Sequence, residues 1–390
     1  MKGTVYILFY SWQCGGVETR AYRFFLNLKS FGVKVRIISV FATDKTPKSV
    51  LVFPDVEFVS RKKMQELLKE IVISKEDVLF LFRPGSRNDS SHFEKFGLEK
   101  MPFYFEHLEK FKKAKKIVYV YGNAETQPFP YYEQVIELMD FCASGFLVEK
   151  DREQFVIIDS YQKKKVVYFK KPIWWFNISF SPFERKRTKN ILENFNEFAK
   201  NKEEKSVLFT GRITPEKNVV RILRSFLFLK KKGFDCCLFG TADFSRERWY
   251  AEQKFGVETI KEFFRGNYNG IIQAKKILPV FNFGINLRKK NLERYHILEQ
   301  TTLEYALFGV VPVISKNFLP EKEFEIPFRS LIFDAEKEDK EEDYISELII
   351  ENYKSKKMDM FRRENMKHIL RYNDGRDVVR SFLNFLKNKG

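Results

Sequence analysis

Three stretches of the chain set glycines and charged side chains between apolar runs, an arrangement that suits phosphate handling. The first is Cys14-Gly15-Gly16-Val17-Glu18, directly after the β-branched and aromatic run 4–10. If that run is a strand and a helix opens behind the glycines, the turn offers free N–H groups and a positive dipole end to a diphosphate. Glycines let the backbone come close because no Cβ stands in the way. Gly15, Gly16 and Val17 are therefore donor-binding candidates. A pair of glycines is equally the mark of a plain tight turn. What favours a ligand is the place, the first strand-to-helix turn of a doubly wound sheet.

The second stretch is Gly211-Arg212-Ile213-Thr214-Pro215-Glu216-Lys217, behind the apolar run 206–211. A guanidinium fork and an ammonium point charge at a strand's carboxyl end are what a leaving pyrophosphate needs. Arg212 and Lys217 are the catalytic candidates here, and Gly211 and Gly240, each ending an apolar run, join the donor-binding set. The competing reading is two surface cations in a chain full of them.

The third stretch is the most specific: Glu299-Gln300-Thr301-Thr302-Leu303-Glu304, then Gly309 and the run VVPVIS, 310–315. A helix near 301–308 carries Glu304 where an apolar core would exclude charge. A carboxylate there accepts hydrogen bonds from two vicinal hydroxyls. Glu299 precedes the helix, beside the N–H groups of Gln300, Thr301 and Thr302. Outside such a strand-and-helix frame, two glutamates five apart would read as solvated surface.

The elements that position these stretches follow from periodicity. Residues 4–10 read as a strand, and apolar Ala21, Phe24, Phe25, Leu28 and Phe31 fall at helical spacing behind it. Residues 33–41 read as the next strand, giving a βαβ unit with a right-handed crossover. Further short apolar runs at 77–82, 116–122, 139–144 and 166–169 continue the alternation, which implies an open parallel sheet with helices on both faces. The rhythm breaks over 171–205, which contains two prolines and a charge cluster. A second series starts at 206 with a helix at 218–232 and strands at 235–240, near 281–287, at 310–315 and at 328–333. The end of the chain, from Arg376, is an amphipathic helix. The expected division is 1–175 as an N-terminal Rossmann-like domain for the acceptor and 176–205 as linker. Residues 206–370 then form the Rossmann-like donor domain, and 371–390 a helix that packs back on the first domain.

With 390 residues, two domains of ordinary size are expected. The formal charge is +18, shared as +8 over residues 1–175 and +10 over the rest, so it belongs to a folded body rather than a tail. Such a field draws polyanions and anionic surfaces, although a lysine-biased composition alone also yields it. Cys14, Cys142, Cys236 and Cys237 contain no C-x-x-C pair, which argues against a zinc or redox motif. A reduced, cytoplasmic protein is expected. The start does not read as a signal peptide, and no run of eighteen apolar residues predicts a transmembrane helix. No clustered Asp-x-Asp suggests a metal, and no cofactor is expected besides the nucleotide-sugar co-substrate.

Taken in order, the three stretches resemble retaining GT-B glycosyltransferases: GGVE near the start, GR-x-x-x-EK at mid-chain, and LE-x-A-x-x-G-x-x-PVI late. The family's usual signature has two glutamates with seven residues between them. Counting back from Glu304, the first would fall on His296, and this sequence has Glu299 instead. That departure resembles the α-glucosyltransferases of T-even bacteriophages, which modify hydroxymethylcytosine in phage DNA. The likeness continues through 283–304 and 167–172. It implies a GT-B fold, two Rossmann-like doubly wound domains facing across a cleft, with the C-terminal helix crossing back. It implies a UDP-linked donor, with Arg212 and Lys217 on the diphosphate, Glu304 on the ribose and Glu299 near the donor sugar. It also implies double-stranded DNA as partner and transfer with retention. Where the family has an acidic or histidine-bearing loop, this chain has Asn123 and Glu125, which are the remaining catalytic candidates. Acceptor candidates are Ser86, Arg87 and His92, and the clusters holding Lys112, Lys113, Lys163 and Lys164. The lysine clusters read equally well as solvated faces. Two other readings stay open: a transferase for glycan, lipid-linked or protein acceptors, and a non-catalytic nucleotide-sugar or nucleic-acid binding protein.

Overall fold

The computed structural model describes residues 1–9, 16–40, 53–82, 108–121, 140–144, 154–158, 164–168, 173–175, 178–202, 205–211, 213, 217–240, 257–268, 271, 273–287, 300–315, 329–333 and 343–388. They fall in two compact units, Met1–Pro182 with Gly375–Gly390, and Phe183–Asp374. The first unit begins β1 (Val5–Phe9), α1 (Gly16–Ser30), β2 (Val35–Val40), β3 (Val56–Val59), α2 (Arg61–Glu70) and β4 (Val78–Phe82). It continues α3 (Leu108–Phe111), β5 (Lys116–Tyr121), β6 (Phe141–Ser144), β7 (Gln154–Ile158), β8 (Lys164–Tyr168) and β9 (Ile173–Trp175). Next come α4 (Pro182–Glu193), α5 (Phe195–Lys200), β10 (Ser206–Gly211), α6 (Val219–Lys231), β11 (Asp235–Gly240), α7 (Val257–Phe263) and β12 (Phe264–Asn267). The chain then runs through α8 (Ala274–Ile277), a 3-10 turn (Leu278–Val280), β13 (Phe283–Asn286), α9 (Gln300–Leu307), β14 (Val311–Ser315) and β15 (Leu331–Phe333). It ends in α10 (Tyr344–Tyr353), α11 (Lys357–Tyr372) and α12 (Gly375–Asn388).

In the first unit seven parallel strands are ordered β3-β2-β1-β4-β5-β6-β9. A parallel sheet covered on both faces has no water-facing side, so its central strands are apolar throughout. Every residue of β1 (VYILF) and β4 (VLFLF) is buried accordingly. The abundant phenylalanines meet here. Phe24 of α1, Phe80 of β4, Trp174 of β9 and Phe382 of α12 form one aromatic cluster, with Phe382 5.5, 5.2 and 5.2 Å from the other three ring centroids. Tilted and edge-on rings at this range add to their area burial. The terminal helix α12 thus contributes Val379 and Phe382, both fully buried, to the first unit's core.

The second unit repeats the plan in six parallel strands ordered β12-β11-β10-β13-β14-β15. With β10 counted as the first strand, this is the doubly wound order 3-2-1-4-5-6, whose switch point lies between β10 and β13. Its core joins the strands to α6, α7 and α10 through residues such as Phe209, Leu223, Phe226, Ile285 and Ile345.

Three readings change. The run 166–169 does not extend the parallel sheet: β8 pairs antiparallel with β7 in a separate two-stranded sheet. Only residues 159–163 separate the two strands, too few for a parallel crossover, which takes a dozen or more. Ile173–Trp175, read as part of the break, is the edge strand β9 on β6, with Trp174 buried. The segment read as linker, with a polar helix as the alternative over 191–205, carries two helices, α4 and α5. From α4, Glu184, Arg185, Thr188 and Ile191 are buried. Arg185 pairs with Asp374 at 2.5 Å, and the Thr188 hydroxyl donates to the Leu307 carbonyl at 3.1 Å.

Candidate active site

The carboxyl ends of the second unit's strands gather the densest set of candidate residues. Gly211 ends β10 and Gly240 ends β11, and the two are direct partners in the ladder. Asn286 ends β13, and α9 begins at Gln300. What fixes α9 on the sheet is Tyr305, fully buried. Its hydroxyl accepts from the Thr210 backbone N–H at 2.8 Å and from the Thr210 hydroxyl at 3.1 Å, which ties the helix to the end of β10. Its ring lies over β13 at Gly284, where a Cβ would come within 2.4 Å of the ring. Glycine is required there for that reason. Asn286 adds a second tie, donating from Nδ2 to the Thr302 hydroxyl at 2.8 Å.

These ties hold Glu304 in place. Its side chain is buried, at 1% exposure, as an apolar environment would forbid without partners. The Tyr268 hydroxyl donates to Oε2 at 2.8 Å, and Gln300 Nε2 donates to Oε1 at 2.9 Å. One donor on each oxygen orients the carboxylate. Thr302 is buried, while Gln300 and Thr301 are half-buried on the helix's first turn. Lys217 is half-buried and lies two residues before α6, next to Asn218 in the left-handed region at φ 50°. The N-cap residue Asn218 makes no side-chain cap hydrogen bond to that helix. Among the described residues no group of three or more His, Cys, Asp or Glu could hold a metal ion.

The structure therefore brings Gly211, Gly240, Gln300, Thr302 and Glu304 to one sheet edge, with Lys217 at the same edge. Arg212, Glu299 and His296 lie outside the described residues, as do Gly15, Asn123, Glu125, Ser86, Arg87, His92 and Lys163. In the first unit Gly16 is exposed at the start of α1, and Val17 follows it in that helix. Lys164 begins β8. Lys112 and Lys113 are exposed and precede β5, at its amino end. Ligands in open α/β sheets bind at the carboxyl ends, so within the first unit this cluster sits at the opposite edge.

Sequence reasoning missed Tyr268, Asn286 and Tyr305, which orient the helix and its glutamate. Tyr268 follows FRGN, a stretch with no strand signal. It also missed the charge inside α1, where Glu18, Arg20 and Arg23 are buried. Burial, then the neighbouring Arg23, lowers the Arg20 guanidinium to about 10. The Arg23 guanidinium stacks 4.7 Å from the Phe180 ring centroid. At helical spacing these residues read as a polar face.

No protein-family model and no curated protein matches the sequence. Solved structures do. The chain is similar to an alpha-glucosyltransferase in complex with UDP and a 13-mer DNA containing a central A:G mismatch. The match covers 98% of this chain and 99% of that one, with a TM-score of 0.68 and 14% identity. The chain has the GT-B fold. Other GT-B structures match over similar lengths. One is a glycosyltransferase from Rickettsia africae, at 12% identity and TM-score 0.58 over 100% of this chain and 99% of that one. Another is an α,α-trehalose-phosphate synthase (UDP-forming) from Burkholderia xenovorans in complex with glucose-6-phosphate. It matches at 12% identity and TM-score 0.54 over 99% and 100%. No helix among the described residues is long and apolar enough to cross a membrane.

Proposed function

We propose that the chain transfers a sugar from a UDP-linked donor to a hydroxylated, 5-hydroxymethylpyrimidine-like base in phage DNA, with retention and without a metal, in the host cytoplasm. The observation that carries the donor half is the buried Glu304 carboxylate, held by Tyr268 and Gln300 at the carboxyl edge of a GT-B second domain. On this reading Glu304 takes the ribose hydroxyls, Glu299 lies near the donor sugar, and Arg212 and Lys217 hold the diphosphate. As the bond from the anomeric carbon to the diphosphate breaks, its electron pair stays on the phosphate oxygen. Arg212, Lys217 and helix N–H groups stabilise that charge. The acceptor hydroxyl attacks from the same face, and the departing phosphate oxygen takes its proton.

The acceptor half rests on the likeness to a neighbour solved with UDP and DNA and on the charge of +18. Ser86, Arg87, His92, Lys163 and Lys164 are its acceptor-side residues. A base inside a duplex must be extruded before its hydroxymethyl group can react. The test is a hydrolysis screen across nucleotide sugars with and without hydroxymethylated duplex, followed by the mass of the recovered nucleosides. An added hexose or pentose on the modified duplex alone is expected. Transfer to a sugar or lipid acceptor with none to DNA would favour the second reading. That reading draws on the trehalose-phosphate synthase neighbour, solved with a sugar phosphate.

A further inference from the structure

We infer that Tyr268 is a positioning residue for Glu304, and that its hydroxyl sets how strongly the site discriminates a ribonucleotide donor from one lacking the ribose hydroxyls. The inference rests on the donor reading above. Tyr268 is placed by a local irregularity. Along the β11–β12 ladder, Leu238 pairs with Phe264 but the next residue, Phe239, pairs with Gly266, so β12 holds one extra residue, Arg265. Such a bulge bends the strand and re-aims the side chains beyond it. Gly266 takes φ +129°, a conformation that side-chain-bearing residues rarely adopt. Just past the strand, the Tyr268 N–H donates to the Gly240 carbonyl, and its buried phenol reaches the Glu304 carboxylate.

Tyr268 and Gln300 are not equivalent as donors to Glu304. Gln300 stands one turn earlier on the same helix, so it moves with Glu304 and cannot fix the carboxylate relative to the sheet. Tyr268 comes from the end of the edge strand β12, a separate element, and takes the other oxygen. The terminal torsion of a glutamate is broad and two-fold. A separate donor on each oxygen selects one orientation of the carboxylate plane. Two vicinal hydroxyls need that plane defined. A single hydroxyl, or none, does not.

The experiment uses the full chain and calorimetric titration with uridine 5′-diphosphate and its 2′,3′-dideoxy analogue. The wild type should prefer the ribose form. Tyr268→Phe should reduce that preference by about tenfold, the order expected for one hydrogen bond to a charged group. The analogue's affinity should stay within about twofold. In Glu304→Gln the preference should already be gone, and adding Tyr268→Phe should change nothing more. Were Tyr268 only satisfying a buried carboxylate, both nucleotides would weaken together or neither would change, and either result overturns the inference. So does a Glu304→Gln variant that keeps a preference which adding Tyr268→Phe then removes. A wild type that binds neither nucleotide overturns the donor reading itself, a failure that the variants cannot mimic.

Discussion

Replacing Gly284 by alanine should damage the proposed donor site without touching any residue of it. An added Cβ would lie 2.4, 2.5 and 2.8 Å from three ring carbons of Tyr305. Carbon contacts are comfortable near 3.5–4.0 Å, so ring or strand must retreat by about 1 Å. The ring cannot swing freely, because its hydroxyl is held by the Thr210 N–H and hydroxyl. Overpacking of this kind costs roughly 1–3 kcal/mol, and loss of the Thr210 N–H partner adds about 1–3 kcal/mol for a buried unsatisfied donor. We expect about 2–6 kcal/mol of destabilisation, measured by urea unfolding followed by circular dichroism. Glu304 is the neighbour of Tyr305 on α9, so a shift of about 1 Å reaches the carboxylate. A misplacement of that size costs on the order of 10²-fold in rate. The double variant Gly284→Ala with Tyr305→Leu tests the cause. Relief of the clash should make the pair less destabilised than the sum of the singles, a coupling of the size seen for residues in contact. Wild-type stability and donor affinity in Gly284→Ala would refute the reasoning that the ring over Gly284 sets the position of α9.

Lys217→Ala should lower turnover by at least ~10²-fold at saturating donor, as loss of a preorganised stabilising charge does. Unchanged turnover would remove it from the diphosphate site. Lys112→Gln with Lys113→Gln should leave DNA-independent donor hydrolysis within about twofold, because both precede β5 at its amino end; a large loss in that assay would contradict the placement. Cys236 and Cys237 are buried, and burial followed by Asp235 pushes the Cys237 thiol up to about 11. At neutral pH both should stay protonated and escape iodoacetamide in the folded chain, since the thiolate is the nucleophile; mass spectrometry showing rapid labelling of either would count against it. Lys202 is buried with its ammonium held well below the usual value by desolvation and then by Arg362. The unfolded chain then binds more protons at this position, so stability should rise with pH from the depressed native value to the usual lysine range. Lys202→Met should flatten that rise, and an unchanged pH profile would argue that Lys202 stays charged.

How much of this was legible in the sequence depends on where each residue sits relative to the sheet. Central parallel strands are buried on both faces, so β1, β4 and β10 announce themselves as unbroken apolar runs. Edge strands pair on one side and carry weaker signals. FRGN of β12 contains an arginine, a glycine and an asparagine, yet it pairs through its backbone with β11 and carries the bulge that precedes Tyr268. Two short runs, QFVII and KKVVY, have strand composition, but composition does not tell an antiparallel hairpin from a parallel repeat. Only the length of the connection does.

The same logic explains the candidate site. Glu304 was legible because a charge inside an apolar helix-and-strand frame is costly unless something meets it. The sequence shows that cost directly, as a glutamate between Leu303 and Tyr305. What meets the charge is only partly local: Gln300 stands one turn earlier on the same helix, but the other donor does not. Tyr268 lies 36 residues from Glu304, and Thr210, which anchors the next side chain, lies 95 residues from Tyr305. Both are ordinary residue types at the carboxyl ends of strands, and only the strand order β12-β11-β10-β13 turns those ends into one edge. A buried charge therefore marks where a site is, while the topology decides which residues complete it. That is why the glutamate could be read from spacing, and its tyrosine only from the register of a bulged edge strand.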